Sequence, residues 1–242
     1  MINNMRRDTS LVFEFFLSMA IVALIATACT KKSTSGGNKS YLGVTNLSPQ
    51  APPLDIYFDS ALLNTSGSLS FGSTTGAPGN PYLTAIAGVH SIKLTSGSQI
   101  LLDGNTALQV NNHYSMFVYD SAGTSSLNTL ILQDPLTLPP DTVSLVRFLN
   151  FTDTTFYLTM TNAIDTFVLL NQNVRPNASP SSFTFNYVKP GAYQVRAVID
   201  SVDYFNLDSL SFSGSTMYSV YMLQLPNFMS TDSLYSGVIQ HN

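Results

Sequence analysis

Three short segments of this 242-residue chain recur at a spacing of about 104 residues, and internal repetition on that scale constrains the fold more than any other feature. Val44-Thr45-Asn46-Leu47 matches Phe148-Leu149-Asn150-Phe151 around the shared asparagine. Ala87-Gly88-Val89-His90-Ser91-Ile92-Lys93-Leu94 matches Pro190-Gly191-Ala192-Tyr193-Gln194-Val195-Arg196-Ala197, and Tyr114-Ser115-Met116-Phe117-Val118-Tyr119 matches Tyr218-Ser219-Val220-Tyr221-Met222-Leu223. The chain therefore reads as two copies of one unit. Thr137-Leu138-Pro139-Pro140-Asp141, with its paired prolines, is a stiff connector between them.

Within each copy the apolar period is two. Ile92 and Leu94 alternate with Ser91 and Lys93, and Tyr193, Val195 and Ala197 alternate with Gln194 and Arg196, which predicts strands with one buried and one wet face. Gly88 and Gly191 stand where a turn into a strand needs unusual backbone angles. No segment after Ser40 sustains a helical apolar stripe over three turns. Short strands punctuated by Gly, Pro, Asn and Asp predict an all-β chain of two tandem antiparallel β-sandwiches, over residues 41–137 and 143–242, joined by a linker at 138–142.

The first 28 residues read as a lipoprotein signal peptide, with a signal helix at its apolar centre. Arg6 and Arg7 precede an apolar stretch from Phe15 to Ala28, which at 14 residues falls short of the roughly 20 needed to cross a bilayer. The small residues Ala26, Thr27 and Ala28 then lead to Cys29, the only cysteine, as the residue to be lipidated. Ala26 stands where such signals usually carry leucine. Residues 29–40, rich in Ser, Gly, Asn and Lys, form a flexible tether. By resemblance to other lipoproteins, Thr30 rather than Asp after the cysteine implies the outer membrane.

From Ser40 onward there are 12 Asp, no Glu and five basic residues, a formal charge of −7, so nucleic acid is not an expected partner. Only 10% of the chain is charged while 44% is hydrophobic, so it can fill a core, and Ser and Thr supply most of the polarity. With one cysteine, no disulfide can form within the chain.

Val44-Thr45-Asn46-Leu47-Ser48-Pro49, Leu54-Asp55-Ile56-Tyr57-Phe58-Asp59, Leu69-Ser70-Phe71-Gly72, Tyr82, Ala87-Gly88-Val89-His90 and Tyr114 together resemble the bacterial extracytoplasmic domain of unknown function 4397. The resemblance covers most of residues 41–137 and, more faintly, 143–242. It implies tandem immunoglobulin-like modules on a lipoprotein, with three acyl chains on the mature cysteine, and supplies no activity. The second copy keeps Val146-Arg147-Phe148-Leu149-Asn150, Pro190-Gly191-Ala192-Tyr193 and Tyr218, but has Thr152-Asp153 in place of Ser48-Pro49 and lacks the Asp-x-Tyr-x-Asp run.

Chemical signatures are sparse. His90, His113 and His241 have no zinc-ligand spacing, and His90 and His113 read as surface or strand-end residues. No Gly-x-Ser-x-Gly elbow is present. The four-residue spacing of Asp55 and Asp59 predicts one strand face with the two about 13 Å apart, too far for a retaining glycosidase pair unless the chain bends. Asp134, Asp141 and Asp153 lie near the joint between the copies but lack a calcium-loop pattern. No cofactor or metal is expected.

Nine of the 13 aspartates are followed directly by Ser or Thr, far above chance for 55 such residues in 242. Seven continue with Ala, Val, Leu or Thr and so resemble the Asp-Ser/Thr-aliphatic sites of bacterial O-linked glycan attachment, which implies Ser60, Ser121, Thr142, Thr154, Ser201, Ser209 and Ser233 as candidate O-glycosylation sites; turn and strand-start chemistry accounts for the pattern as well. The expected function is a non-catalytic envelope lipoprotein, a spacer or a binding module for protein or glycan. Two alternatives are an envelope glycan-processing enzyme using Asp55 and Asp59, and an assembly subunit exchanging the C-terminal strand Tyr235–Gln240.

Overall fold

The computed structural model describes residues 38–120, 126–135, 137–152, 157–162, 166–169, 183–199, 202–225 and 234–241. All regular structure among them is β. The first eight strands are β1 (Lys39–Asn46), β2 (Asp55–Phe58), β3 (Ala61–Leu62), β4 (Tyr82–Ile86), β5 (Gly88–Ser96), β6 (Gln99–Leu108), β7 (His113–Asp120) and β8 (Leu127–Asp134). The next eight are β9 (Ser144–Phe151), β10 (Tyr157–Thr161), β11 (Thr166–Leu169), β12 (Asn186–Val188), β13 (Gly191–Ile199), β14 (Val202–Phe212), β15 (Thr216–Gln224) and β16 (Leu234–His241).

They form four four-stranded sheets. The first copy contributes β4-β1-β7-β8 and β3-β2-β5-β6; the second repeats the orders as β12-β9-β15-β16 and β11-β10-β13-β14. Each strand of the first copy thus has its counterpart eight elements later. Most neighbours are antiparallel, as the strand pattern predicts, but β1 pairs β7 and β9 pairs β15 in parallel. This corrects the fully antiparallel expectation. Between β1 and β7 the chain builds the other sheet, adds β4 along the opposite side of β1 and then returns to the end at which β1 began, so β1 and β7 run the same way.

The recurring residues have specific structural duties. Asn46 donates from Nδ2 to the Leu69 carbonyl at 2.9 Å and accepts the Ser48 amide at 3.0 Å, while Asn150 accepts the Thr152 amide at 2.9 Å. Each holds the chain as it leaves its strand. Tyr114 and Tyr218 accept the amides of Gln109 and Ser213, each at 3.0 Å, and so fasten the tight turn five residues upstream. Gly88 and Gly191 take φ of 140° and 150°, where an L side chain is strained.

Three apolar clusters follow from the two-residue period. Leu42, Val44, Ile56, Ile92, Leu94, Tyr114, Met116 and Val118 fill the space between the two sheets of the first copy. Val146, Phe148, Met160, Val195, Tyr218, Val220 and Met222 do the same in the second. The third cluster takes the alternate positions of the same central strands: Leu47, Phe117, Tyr119, Leu130 and Leu132 meet Leu149, Phe151, Tyr221, Leu223 and Ile239. The sheets containing β1 and β9 therefore pack on each other and are covered on both faces, which explains why β7, β9 and β15 carry nearly continuous buried runs. Each large apolar side chain so buried contributes about 1.5–3 kcal/mol.

Candidate functional site

The third cluster has a polar centre, assembled from residues far apart in sequence. On β1 and β9, Gly43 and Arg147 occupy equivalent places, facing Ser115 and Ser219 across their parallel neighbours. On β8 and β16, Asp134 and His241 are likewise equivalent, opposite His113 and Met217. Tyr82 of β4 lies beside Gly43. The two copies thus bring different side chains to matching positions, and those side chains complement one another.

Arg147 Nη1 lies 2.7 Å from Asp134 Oδ1, with both side chains buried. The contact is an ion pair rather than an aligned hydrogen bond, and Nη2 finds no acceptor among the described residues. Instead the guanidinium carbon sits 4.6 Å from the Phe185 ring centroid and 5.5 Å from that of Phe117, so aromatic faces cover the remaining charge. Arg147 Nε donates to Ser219 Oγ at 2.7 Å. Tyr82 Oη and Ser115 Oγ both donate to Asp134 Oδ2, at 2.8 and 2.6 Å.

His241 bridges the two halves. Its Nε2 lies 2.8 Å from Ser219 Oγ, and its Nδ1 lies 3.3 Å from Tyr82 Oη and 3.4 Å from Ser115 Oγ. The proton order closes in one way: Arg147 donates to Ser219, Ser219 to Nε2, and the Nδ1 proton points to Tyr82 and Ser115, whose own protons go to Asp134. A neutral histidine satisfies this ring. Burial, reinforced by the Arg147 charge and opposed by Asp134, lowers the His241 pKa to about 4. Burial, then the Asp134 charge, pushes the Tyr82 phenol well above its ordinary value, so it stays a donor.

This predicts an acid-sensitive fold. An unfolded histidine titrates near 6.5, so between about pH 6.5 and 4 the unfolded chain binds the proton that the folded chain refuses. The His241 contribution should be fully present above that window and fall by about 3 kcal/mol across it, levelling off below. Urea midpoints measured against pH check this. His241→Gln should flatten that segment of the curve, and an unchanged slope would contradict the neutral buried assignment.

The residues singled out in sequence are placed more simply. Asp55 accepts from Ser68 Oγ at 2.6 Å. Asp59 lies 2.8 Å from His90 Nδ1 and accepts the Ser91 amide at 3.1 Å; these bonds hold its carboxyl below the usual range. Each carboxylate is thus engaged locally. His113 opens β7 and stacks on Tyr41 at 4.5 Å, and burial lowers its pKa. Asp134 spends its oxygens on Arg147, Tyr82 and Ser115, and Asp141 is exposed at a turn. Among the described residues no group of three acidic, His or Cys side chains is placed to hold a metal. Ser60, Thr142 and Ser209 are exposed. Cys29, Ser121, Asp153, Thr154, Ser201 and Ser233 lie outside the described residues. Among the described residues no helix is long and apolar enough to cross a membrane.

Sequence reasoning did not find the polar ring. One signal was available: Arg147 interrupts the apolar run Leu145-Val146-Arg147-Phe148-Leu149, while the matching place in the first copy is Gly43. A charge at the inward phase of a buried strand requires a partner.

A family model described as "Domain of unknown function (DUF4397)" matches residues 40–161, and the chain belongs to that family. The match spans the first eight strands and continues through β9 and β10. No curated protein matches the chain.

Proposed function

We infer that the protein is a cell-envelope lipoprotein of the outer membrane. Cys29 carries the lipid, and the paired immunoglobulin-like sandwiches form a rigid, non-catalytic body that acts as a spacer or as a binding module for protein or glycan. The observation that carries this reading is the order of parts: an export-type leader ending in the only cysteine, a short Ser/Gly tract, then sheets packed back to back around a buried ion pair. A spacer must transmit position, and a shared core with a buried ion pair and a hydrogen-bonded polar ring resists hinging between its halves.

The buried ring favours this over catalysis, because Ser219, His241 and Asp134 are closed off from solvent and bonded within the protein. What weighs against strand exchange is the extent of the pairing: β16 pairs with β15 over eight residues and places His241 in the ring. Ser60, Thr142 and Ser209 stand open to glycan attachment. Replacing Cys29 with Ser should move the protein from the membrane to the soluble fraction after export. Unchanged membrane retention would overturn the anchor.

A further inference from the structure

The two outer sheets expose four edges, and three of them are guarded. β3 has two residues and β11 four, too short to template another strand, and β14 carries Asp203 and Asp208 and shifts register twice against β13. β6 is different. Its ten residues end the sheet β3-β2-β5-β6, pair with β5 on one side, and among the described residues find no backbone partner on the other. The register shift against β5 falls at Leu101, near the start, so residues 102–108 run regularly. The strand holds neither lysine nor proline, and its one charge, Asp103, lies 3.7 Å from Lys93 of β5.

An open edge of this kind is completed by an added strand, and the sequence of β6 suits a second β6. Antiparallel pairing about a two-fold axis at Asn105 sets Leu102 against Leu108, Gly104 against Thr106 and Asp103 against Ala107, each contact made twice. The two carboxylates then stay apart, whereas an axis at Asp103 would oppose them. A side chain at Gly104 would meet no atom within 4 Å, which leaves room for the facing threonine. Leu102 and Leu108 lie on the core side of β6, so the apolar layer of one sandwich continues into that of its neighbour. Outside the regular run, Ile100 is 55% exposed and Val110, two residues past the end of β6, is 44% exposed. The same axis carries each Ile100 to the Val110 of the other molecule.

We propose that β6 pairs with β6 of a second molecule of this chain, joining two outer sheets into one of eight strands. The interface is isologous and lies away from the central sheets, so it leaves the shared core and the polar ring as they are. It goes beyond the spacer reading and does not depend on a lipid at Cys29.

The test uses the full-length protein in mild detergent, oxidised with copper phenanthroline, with a cysteine introduced as Asn105→Cys or Asp103→Cys. Facing Cα atoms of an antiparallel pair lie about 4.5–5.5 Å apart, within disulfide range, while the two 103 positions are about 13 Å apart along the strands. Both residues are exposed, and the unsubstituted chain, with Cys29 alone, sets the baseline. Linked dimer should form with Asn105→Cys at about tenfold or more the level of Asp103→Cys and of the baseline. Ile100→Asp should raise the dimer dissociation constant, read by sedimentation, by about tenfold, since symmetry loses the contact twice. A monomer at every concentration, linkage at 103 equal to that at 105, or a dissociation constant indifferent to Ile100→Asp overturns the proposal.

Discussion

Replacing Asp134 with Ala should cost about 3–5 kcal/mol of stability, read as a shift in the urea midpoint at neutral pH. The substitution leaves the Arg147 charge between Phe117 and Phe185 without its counter-ion, and leaves the Tyr82 and Ser115 hydroxyls without their acceptor. Removing one partner of a buried pair costs far more than the pair contributes, because desolvation of the survivor is no longer offset. Two arms sharpen the expectation. Arg147→Met alone should cost less, since Asp134 keeps two hydroxyl donors. Asp134→Leu combined with Arg147→Met should recover the part of the loss that comes from the unpaired Arg147 charge, while the Tyr82 and Ser115 hydroxyls still lack their acceptor. A single-variant cost below about 1 kcal/mol would show that the charges are not paired in solution.

The complementarity also governs which sheets meet. Two first-copy sheets placed back to back would confront Asp134 with Asp134 and supply only Gly43 where a cation is needed; two second-copy sheets would oppose Arg147 with Arg147. The mixed pair alone neutralises its charges. Self-association through the same face is thereby penalised, a use of charge that adds specificity even where its contribution to stability is small.

Phe117→Ala should cost about 3–5 kcal/mol, the range for a fully buried phenylalanine whose cavity only partly collapses. Phe117 lies in β7 of the first copy, yet its ring faces the second, 5.9 Å from the Phe151 centroid and against the Arg147 guanidinium. The destabilisation should therefore be felt in both copies. Met116, next in the same strand, points the other way into the first copy's own core, so Met116→Ala provides the contrast: a loss of about 2–5 kcal/mol that leaves the contacts between the sheets in place. Hydrogen exchange resolved by peptide reads both. Equal loss of protection in β1 and β9 after Phe117→Ala is the expected result, and a loss confined to the first copy would contradict the shared core.

The outer strands were legible in sequence because one of their faces is wet. Ile92 and Leu94 against Ser91 and Lys93, and Tyr193, Val195 and Ala197 against Gln194 and Arg196, declare their phase. Gly88, Gly191, Tyr114 and Tyr218 were legible because turn geometry repeats with its residues. The central strands were not. A run such as Tyr114-Ser115-Met116-Phe117-Val118-Tyr119 is buried on both faces, and alternation vanishes when both phases are apolar. Its parallel pairing depends on the path of some 70 intervening residues rather than on local pattern. The polar ring was further out of reach, since Tyr82 and His241 meet across 159 positions and neither side chain identifies its partner.

Whether the two copies form one body is read most directly by hydrogen exchange of the unmodified full-length protein at rising urea concentration, with peptides from β1 and β7 followed alongside those from β9 and β15. A common core and a closed polar ring predict that all four strands lose protection together, at one midpoint. Separate midpoints, with one copy still protected while the other exchanges freely, would contradict it.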